Sequence, residues 1–552
     1  MTAGRAARWA LWAATLLAVA TIALSSITVF DFWWYLASGQ KILATRSVPT
    51  TDPFSYTAEG RPWINHMWAT QVLFTLLWER WGRLALIGLK TATVAATFAV
   101  ILATMRARGV HPLLAAAVTL LAAWTGAEFW HARPQTFTYL FMAILAWLLR
   151  PGWEGRRRTL ALVPALVVVW VNLHAGFVMA GALIAVIGLG TALPLLWSGE
   201  RRREGWRVLG LTGVLGALAG AASLVNPFGV RAILFPLEVV GSVPFMTSTI
   251  EWFPPNFHHG GFRPLELMLL LLFPAFAWGR SRLGAADVGL ILVFAHLGLT
   301  SVRHVPLFAV VAAPPLADAL GGVLATTRRI DWAGLRGAAR RRLPTLGRAL
   351  TAPETRGRAG AVLLLAGVSG YWAAMAPAPT NPLRLDLHEG RYPGRTMAFI
   401  REHQLPAPLF SVYAWAGYEL WRLYPDYRMF MDGRTHVYGP DVLKDFLEVT
   451  NVGPRWQVVL DKWQVQTILA LRPSPLTETL LAKGGWRLVF SEREAVVFVR
   501  ETDANQPLLA RLARVSRDDA VAGSADAEAR GAGAVRVAAR APGPPPGAEA
   551  VR

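Results

Sequence analysis

Long apolar stretches arrive in pairs along this chain, each pair bounded by arginines and split near its middle by a short polar segment. The run from Leu160 to Trp197 shows what that imposes. Written as helix at ~1.5 Å per residue it is roughly 57 Å long, about twice a ~30 Å hydrocarbon core, so it must cross a bilayer twice. Arg156, Arg157 and Arg158 precede it and Arg201, Arg202 and Arg203 follow it. Basic flanks stay on the cytoplasmic side, which sends the turn Asn172-Leu173-His174-Ala175-Gly176 outward. The same logic covers Pro112 to Leu149, tipped by Glu128 to Gln135, and Val208 to Trp278, tipped by Asn226 to Phe262. It also covers Val288 to Leu324, tipped by Ser301-Val302-Arg303-His304. Single spans at Trp9 to Phe30, near Leu84 to Thr104 and at Ala359 to Ala376 bring the total to about eleven. Odd parity then exports the C-terminal region.

Composition points the same way: of 552 residues 54% are hydrophobic and only 16% charged, as in a polytopic, mainly helical membrane protein. The formal net charge of +20 is topological in origin. Its largest share lies in a cytoplasmic basic loop, 325–358, with Arg336, Arg340, Arg341, Arg342 and Arg348. Orientation and attraction to anionic lipid account for it, and no nucleic-acid partner is expected. The absence of cysteine excludes disulfides, thiolate metal sites and thiol nucleophiles, so a divalent metal would need oxygen or imidazole ligands. Arg5 and Arg8 precede the first span, whose apolar stretch is longer than that of a signal peptide and reads as an uncleaved anchor.

Three regions follow. Residues 1–378 form the transmembrane domain, with a first exported loop at 31–82. Asp31 to Ile42 reads as an interfacial helix, its tryptophans, Tyr35 and Lys41 suiting the headgroup layer. A second amphipathic helix opens at Asn65-His66-Met67-Trp68 and ends near Trp81. Residues 379–500 read as a small exported α/β domain, with strands at Leu409 to Tyr413, Tyr427 to Met431, Val465 to Leu471, Trp486 to Phe490 and Ala495 to Val499. Helical segments lie at Asp441 to Val449 and Trp456 to Trp463. Residues 501–552, rich in Ala, Gly, Pro and Arg, read as a disordered tail.

Ionisable groups gather at the exported tips. Beside hydrocarbon they are costly unless they face a cavity or one another, which suggests one shared site. Asp31, at the end of the first span, can accept a proton from an attacking hydroxyl, hold a cation, or simply cap the next helix. Asp52 precedes Pro53 and is a turn former or a second catalytic group. Arg133 and Arg303 offer bidentate donors to a lipid phosphate, or snorkel to ordinary headgroups. His131, His174 and His304 orient a phosphate, ligate a metal or cap helix ends, and His66 belongs to the same set of tips. Glu251 is a second carboxylate or an ordinary loop residue. Asn172 and the Asn226-Pro227-Phe228-Gly229 stop are structural. Asp432-Gly433, with Arg434, is a turn signal or an acceptor contact.

With these residues in view, the plan resembles the GT-C superfamily of membrane glycosyltransferases. The motifs Asp31-Phe32-Trp33-Trp34-Tyr35, Thr51-Asp52-Pro53-Phe54-Ser55-Tyr56, Trp63-Ile64-Asn65-His66-Met67-Trp68, Arg133-Pro134-Gln135, Asn172-Leu173-His174, Asn226-Pro227-Phe228-Gly229 and Arg303-His304 look like a bacterial branch of it. The resemblance implies transfer of a sugar from a polyprenyl-phosphate donor to an exported glycan, lipid or protein on the outer face of the inner (plasma) membrane. It matches Asp31 to the catalytic first-loop aspartate. Tyr35 stands where a histidine, and Met67 where a glutamate, is expected, and the Trp-Trp-Asp signature of oligosaccharyltransferases is missing. The mechanism implied is a single, inverting displacement. Asp31 takes the acceptor proton, Arg133 and Arg303 with His131 or His304 stabilise the leaving phosphate, and Asp52, His66, His174 and Glu251 contact the acceptor or support the residues that do. A transporter or flippase for lipid-linked sugars would share the cavity, but would show polar or broken helices at mid-membrane, where this chain reads as apolar apart from His296. A non-catalytic envelope assembly factor is the third reading.

Overall fold

The computed structural model describes residues 3–27, 29–150, 152–241, 250–279, 282–327, 353–375 and 392–514. Most of the basic loop 325–358, the first residues of the 379–500 region and the tail beyond 514 lie outside them. The chain packs as two units, Met1–Gly394 with Tyr413–Leu447, and Arg395–Val412 with Glu448–Arg552.

The first unit opens with α1 (Ala3–Ala23), α2 (Phe32–Thr45) and α3 (Trp68–Ala107). Gly82 takes φ 67° inside α3, a conformation that glycine adopts without steric cost, and breaks the amphipathic opening from the apolar span that follows. Then come α4 (Pro112–Thr125), α5 (Gln135–Leu148), α6 (Leu162–Leu173), α7 (Val178–Trp197), α8 (Arg202–Ala222) and α9 (Val230–Gly241). Next are α10 (Arg263–Trp278), α11 (Ala285–Thr300), α12 (Val305–Thr327) and α13 (Pro353–Met375). Phe98, Met142, Trp170, Leu183, Phe294 and Phe308 are buried in a common core. Outward faces expose Leu162, Val169, Trp197, Phe273 and Leu292, an apolar surface that suits lipid rather than water.

Six helices among the described residues are long and apolar enough to cross a membrane: Arg5–Ala23, Trp68–Ala107, Ala175–Trp197, Gly199–Ala222, Gly260–Trp278 and Val302–Ala325. Five more apolar helices are shorter: Pro112–Thr125, Gln135–Leu148, Arg158–Leu173, Ala285–Thr300 and Ala359–Tyr371. Six helices thus reach spanning length, and polar tips such as the 3₁₀ turn Ala127–Phe129 take up length that hydropathy assigns to a span. At the arginine-flanked ends, Arg108 closes α3 and pairs through both nitrogens with Asp287 at the start of α11, at 2.6 and 3.2 Å. Those two helix ends therefore lie together.

Three expectations are corrected here. α2 does not lie on a surface: nine of its fourteen residues are buried, and Trp33 packs against Trp78, Tyr418 and Trp421. Its rings serve a protein core, and Lys41 donates to the Tyr424 hydroxyl at 3.1 Å rather than reaching headgroups. The stretch Tyr427 to Met431 is no strand of the C-terminal sheet; Met429 bridges Ser55 in the first loop. Tyr413–Leu447 belongs to the first unit because aromatic helix Tyr413–Leu423 packs on α2, with Gly417 close to the Phe30 carbonyl. The spans are also not apolar throughout apart from His296, since Lys90 is buried in α3. Its Nζ donates to the carbonyl and hydroxyl of Ser25 at 2.9 and 2.7 Å, which offsets the cost of its charge.

The second unit holds a four-stranded sheet, β1 (Leu409–Ser411), β2 (Thr467–Leu471), β3 (Trp486–Glu492) and β4 (Ala495–Arg500), in the order β1-β2-β4-β3. β1 pairs with β2 in parallel and the rest pair antiparallel, with Leu469 opposite Val497. Residues 501–514, expected to belong to a disordered tail, are ordered in this unit, and the rest of that expectation lies outside the described residues. Glu501 pairs with Arg487, residues 506–514 are helical, and Leu509 and Leu512 are buried.

Candidate functional site

Asp31 sits between α1 and α2 at a backbone φ of −62°, and its side chain makes no helix cap. The carboxylate points elsewhere. Oδ1 accepts from Trp34 Nε1 at 3.3 Å, and Oδ2 accepts from a guanidinium nitrogen of Arg133 at 3.0 Å. Arg133 lies in the tip between α4 and α5, and its other terminal nitrogen donates to Glu251. Glu251 belongs to the 3₁₀ turn Ile250–Trp252, which is tied to the tip between α11 and α12 by Ser301 Oγ donating to the Glu251 carbonyl and by Val302 N–H donating to Phe253 O, both at 2.9 Å. In that tip the Arg303 guanidinium stacks 4.3 Å over the Trp252 ring and makes no ion pair among the described residues. Four segments distant in sequence thus deliver two carboxylates and two guanidinium groups to one place.

Electrostatics follow from burial. Loss of solvent pushes the Asp31 carboxyl above the usual carboxylate range, with Glu251 adding to the rise and Arg133 opposing it. Burial also opposes the charge of Glu251, yet Arg133 and Arg303 outweigh it and hold that carboxyl low. For Arg133 burial is overcome by Asp31 and then Glu251, so the guanidinium stays firmly charged. The hydroxyls of Tyr35 and Tyr413 are pushed up by burial and by the Asp31 charge and remain neutral.

These groups line a cavity of ≈ 390 Å³, within the size range of ligand pockets. Asp31, Tyr35, His66, Arg133, His174, Glu251, Arg303, His304, Tyr413 and His436 supply its polar wall, and Val178, Met179, Phe235, Val239 and Leu307 supply apolar wall. An adjoining cavity of ≈ 650 Å³ shares Phe235, Val239, Thr435 and His436. Asn172 places His174: its amide accepts from Trp68 Nε1 at 2.9 Å and donates to the carbonyls of Val168 and Val225 at 2.8 Å each. His66 follows Asn65, whose amide is locked reciprocally with Gln71 at 2.8 Å.

Two expected site residues lie elsewhere. His131 is not in the cavity wall; burial and then Arg133 lower its pKa to about 4, so it stands as a neutral ring behind the arginine. Asp52 accepts from Arg434 at 2.6 Å in a fully buried group that also contains Asp432. Arg434 is sandwiched between the rings of Phe54 and Trp63, at 4.9 and 4.7 Å. This group joins the first loop to the turn that carries Gly433, and a β-carbon at Gly433 would collide with Asp31 Oδ1. Among the described residues no cluster of three or more His, Asp or Glu side chains is arranged to hold a metal ion.

Sequence reading gave Tyr413 and His436 no part in the site and took Gly433 as a turn residue, because their segment patterns like part of a soluble domain. The signal was present in the run Asp432-Gly433-Arg434-Thr435-His436, dense in groups that a plain turn does not need.

No family model matches the chain, and no curated protein matches it. Among solved structures it is similar to the Archaeoglobus fulgidus oligosaccharyltransferase in its apo form, at 12% identity and a TM-score of 0.46, covering 83% of this chain and 69% of that one. It is also similar to ArnT from Cupriavidus metallidurans bound to undecaprenyl phosphate, at 17% identity and a TM-score of 0.46, covering 89% and 98%. The apo state of that ArnT gives 18% identity and a TM-score of 0.47, covering 88% and 97%.

Proposed function

We propose that the chain is a multi-pass membrane glycosyltransferase that moves a sugar from a polyprenyl-phosphate carrier to an acceptor hydroxyl on the exported face of the inner membrane. The observation that carries this reading is the Asp31–Arg133–Glu251 arrangement beside Arg303 in one partly apolar cavity. A carboxylate raised by burial suits a general base, and guanidinium groups suit a lipid-borne phosphate at that depth.

The reaction is a single displacement. The acceptor oxygen forms a bond to the anomeric carbon as its proton passes to Asp31, while the bond from that carbon to the phosphate oxygen breaks and its electron pair leaves with the phosphate. Arg303, with no carboxylate partner among the described residues, receives the phosphate, and Arg133 shares its donors between phosphate and carboxylates. Inversion at the anomeric carbon follows from in-line attack. Apolar lining residues such as Val178, Met179 and Leu307 take the first prenyl units.

The test is glycolipid and glycoprotein profiling of cells carrying Asp31→Asn, with protein abundance checked. Loss of one glycosylated product, with its polyprenyl-phosphate sugar accumulating, supports the reading. Unchanged products reject it. Loss of carrier-linked sugar from the exported leaflet, rather than its accumulation there, indicates a flippase.

A further inference from the structure

Part of the cavity wall carries no charge. The His66 ring is stacked on Phe235 at 4.6 Å and lies 6.4 Å from His174 and 6.2 Å from His436, and Phe235 lies 5.0 Å from His436. Four rings from four separated segments therefore meet at one place.

Their hydrogen bonds settle what each ring presents. Nδ1 of His174 accepts the Gly176 N–H at 3.0 Å, so in the neutral ring the proton is on Nε2. Thr138 Oγ1, which accepts from Trp170 Nε1 at 2.9 Å, lies 2.8 Å from the same Nδ1 and donates to it. His66 is the opposite case. Its Nδ1 lies 3.3 Å from the Ile64 carbonyl, which can only accept, so Nδ1 carries the proton and Nε2 is an acceptor. Nε2 of His436 is buried and has no hydrogen-bond partner among the described residues. A buried polar atom of that kind calls for a partner from outside the chain.

One donor, one acceptor and one unsatisfied nitrogen around an aromatic face match hydroxyl groups, which donate and accept at once, set on a ring with an apolar face. Resting on the transferase reading, we propose that His66, His174, His436 and Phe235 form a subsite for an uncharged polyhydroxylated sugar ring. Burial first, with help from neighbouring cations, keeps all three imidazoles neutral: His66 is lowered to about 4, His436 to about 3, and His174 well below its ordinary value. A carboxylated or amino sugar would bring a charge that these rings do not neutralise, at a desolvation cost.

Donor and acceptor sugars share this chemistry, so the test separates them. Purified full-length protein in lipid nanodiscs is titrated with polyprenyl phosphate, with polyprenyl-phosphate glucose, with a polyprenyl-phosphate amino sugar, and with methyl glucoside. Expected is glucose-carrier binding on the order of tenfold tighter than bare carrier, the net worth of one or two neutral hydrogen bonds. His436→Ala and His66→Gln remove that gain and leave bare-carrier affinity within about twofold. If the variants instead lose only methyl glucoside binding, the subsite holds the acceptor sugar. Amino-sugar carrier binding as tightly as the glucose form, or variants that change neither sugar ligand, overturns the proposal. Failure of wild-type protein to bind any polyprenyl phosphate strikes the transferase reading instead.

Discussion

Gly433 lies so close to Asp31 that a β-carbon added there would overlap the carboxylate oxygen Oδ1 and come within 2.8 Å of Trp34 Nε1. The turn after Met431 thus forms part of the seat of the acidic group, and only the smallest residue fits. Gly433→Ala is expected to displace the carboxylate from Arg133 and to lower turnover at least tenfold while membrane abundance stays near normal. Product formation per unit of protein, measured beside the wild type, checks it.

That turn is held by the buried Asp52–Arg434–Asp432 group. Arg434→Ala leaves two buried carboxylates without their cation, a change worth roughly 3–5 kcal/mol of stability. Loss of folded protein is expected, read as a lower Tm in detergent and lower abundance in membranes. Asp31→Asn, by contrast, should fold normally.

Arg303 stacks on Trp252 and has no ion pair to lose among the described residues. Arg303→Ala should therefore weaken polyprenyl-phosphate binding on the order of tenfold, the value of a charge-assisted contact, with a Tm close to wild type. Arg133→Ala strands Asp31 and Glu251 together and should lower turnover more than binding. Titration of bare carrier and steady-state kinetics separate the two.

Asp31 must be ionised to accept a proton, and burial raises its pKa while Arg133 opposes the rise. Activity should fall as pH drops through a value above the ordinary carboxylate range of about 4. Arg133→Lys keeps the charge and should leave that acid limb near its wild-type position. Arg133→Ala removes the opposing charge and should move the limb to higher pH. The profile of kcat/KM against pH reads both.

The neutral histidines predict a second pH effect, on stability. His66 is lowered to about 4 and His436 to about 3, while an unfolded chain protonates its histidines near 6.5. The folded state binds fewer protons in that window, so stability is full above about pH 6.5 and declines as pH falls toward 4. The Tm should drop across that interval, and His66→Gln should flatten the decline.

Much of the site could be read before any packing was known. Asp31, Arg133, His174, Glu251 and Arg303 all stand at tips between apolar runs, and charge beside hydrocarbon needs a cavity or a partner. Asp52 and His131 stand in the same one-dimensional setting, yet one is locked into a buried ion group and the other sits behind Arg133. Hydropathy cannot separate them, because it reports position along the membrane normal and says nothing of rotation about it. Tyr413, Gly433 and His436 were hidden for a different reason. Their segment has the alternation of a soluble domain, and only the docking of Tyr413–Leu423 on α2 and the bridge from Ser55 to Met429 draws it to the first loop.

Local chemistry, written in the order of residues, decided where the chain can enter and leave an apolar medium, since solvation acts residue by residue. Which tips meet, which carboxylate is paired with which guanidinium, and which histidine faces the cavity were decided by helix packing. Those contacts join residues a hundred and more positions apart, as Asp31 is joined to Arg133 and Asp52 to Arg434, and no local pattern encodes them.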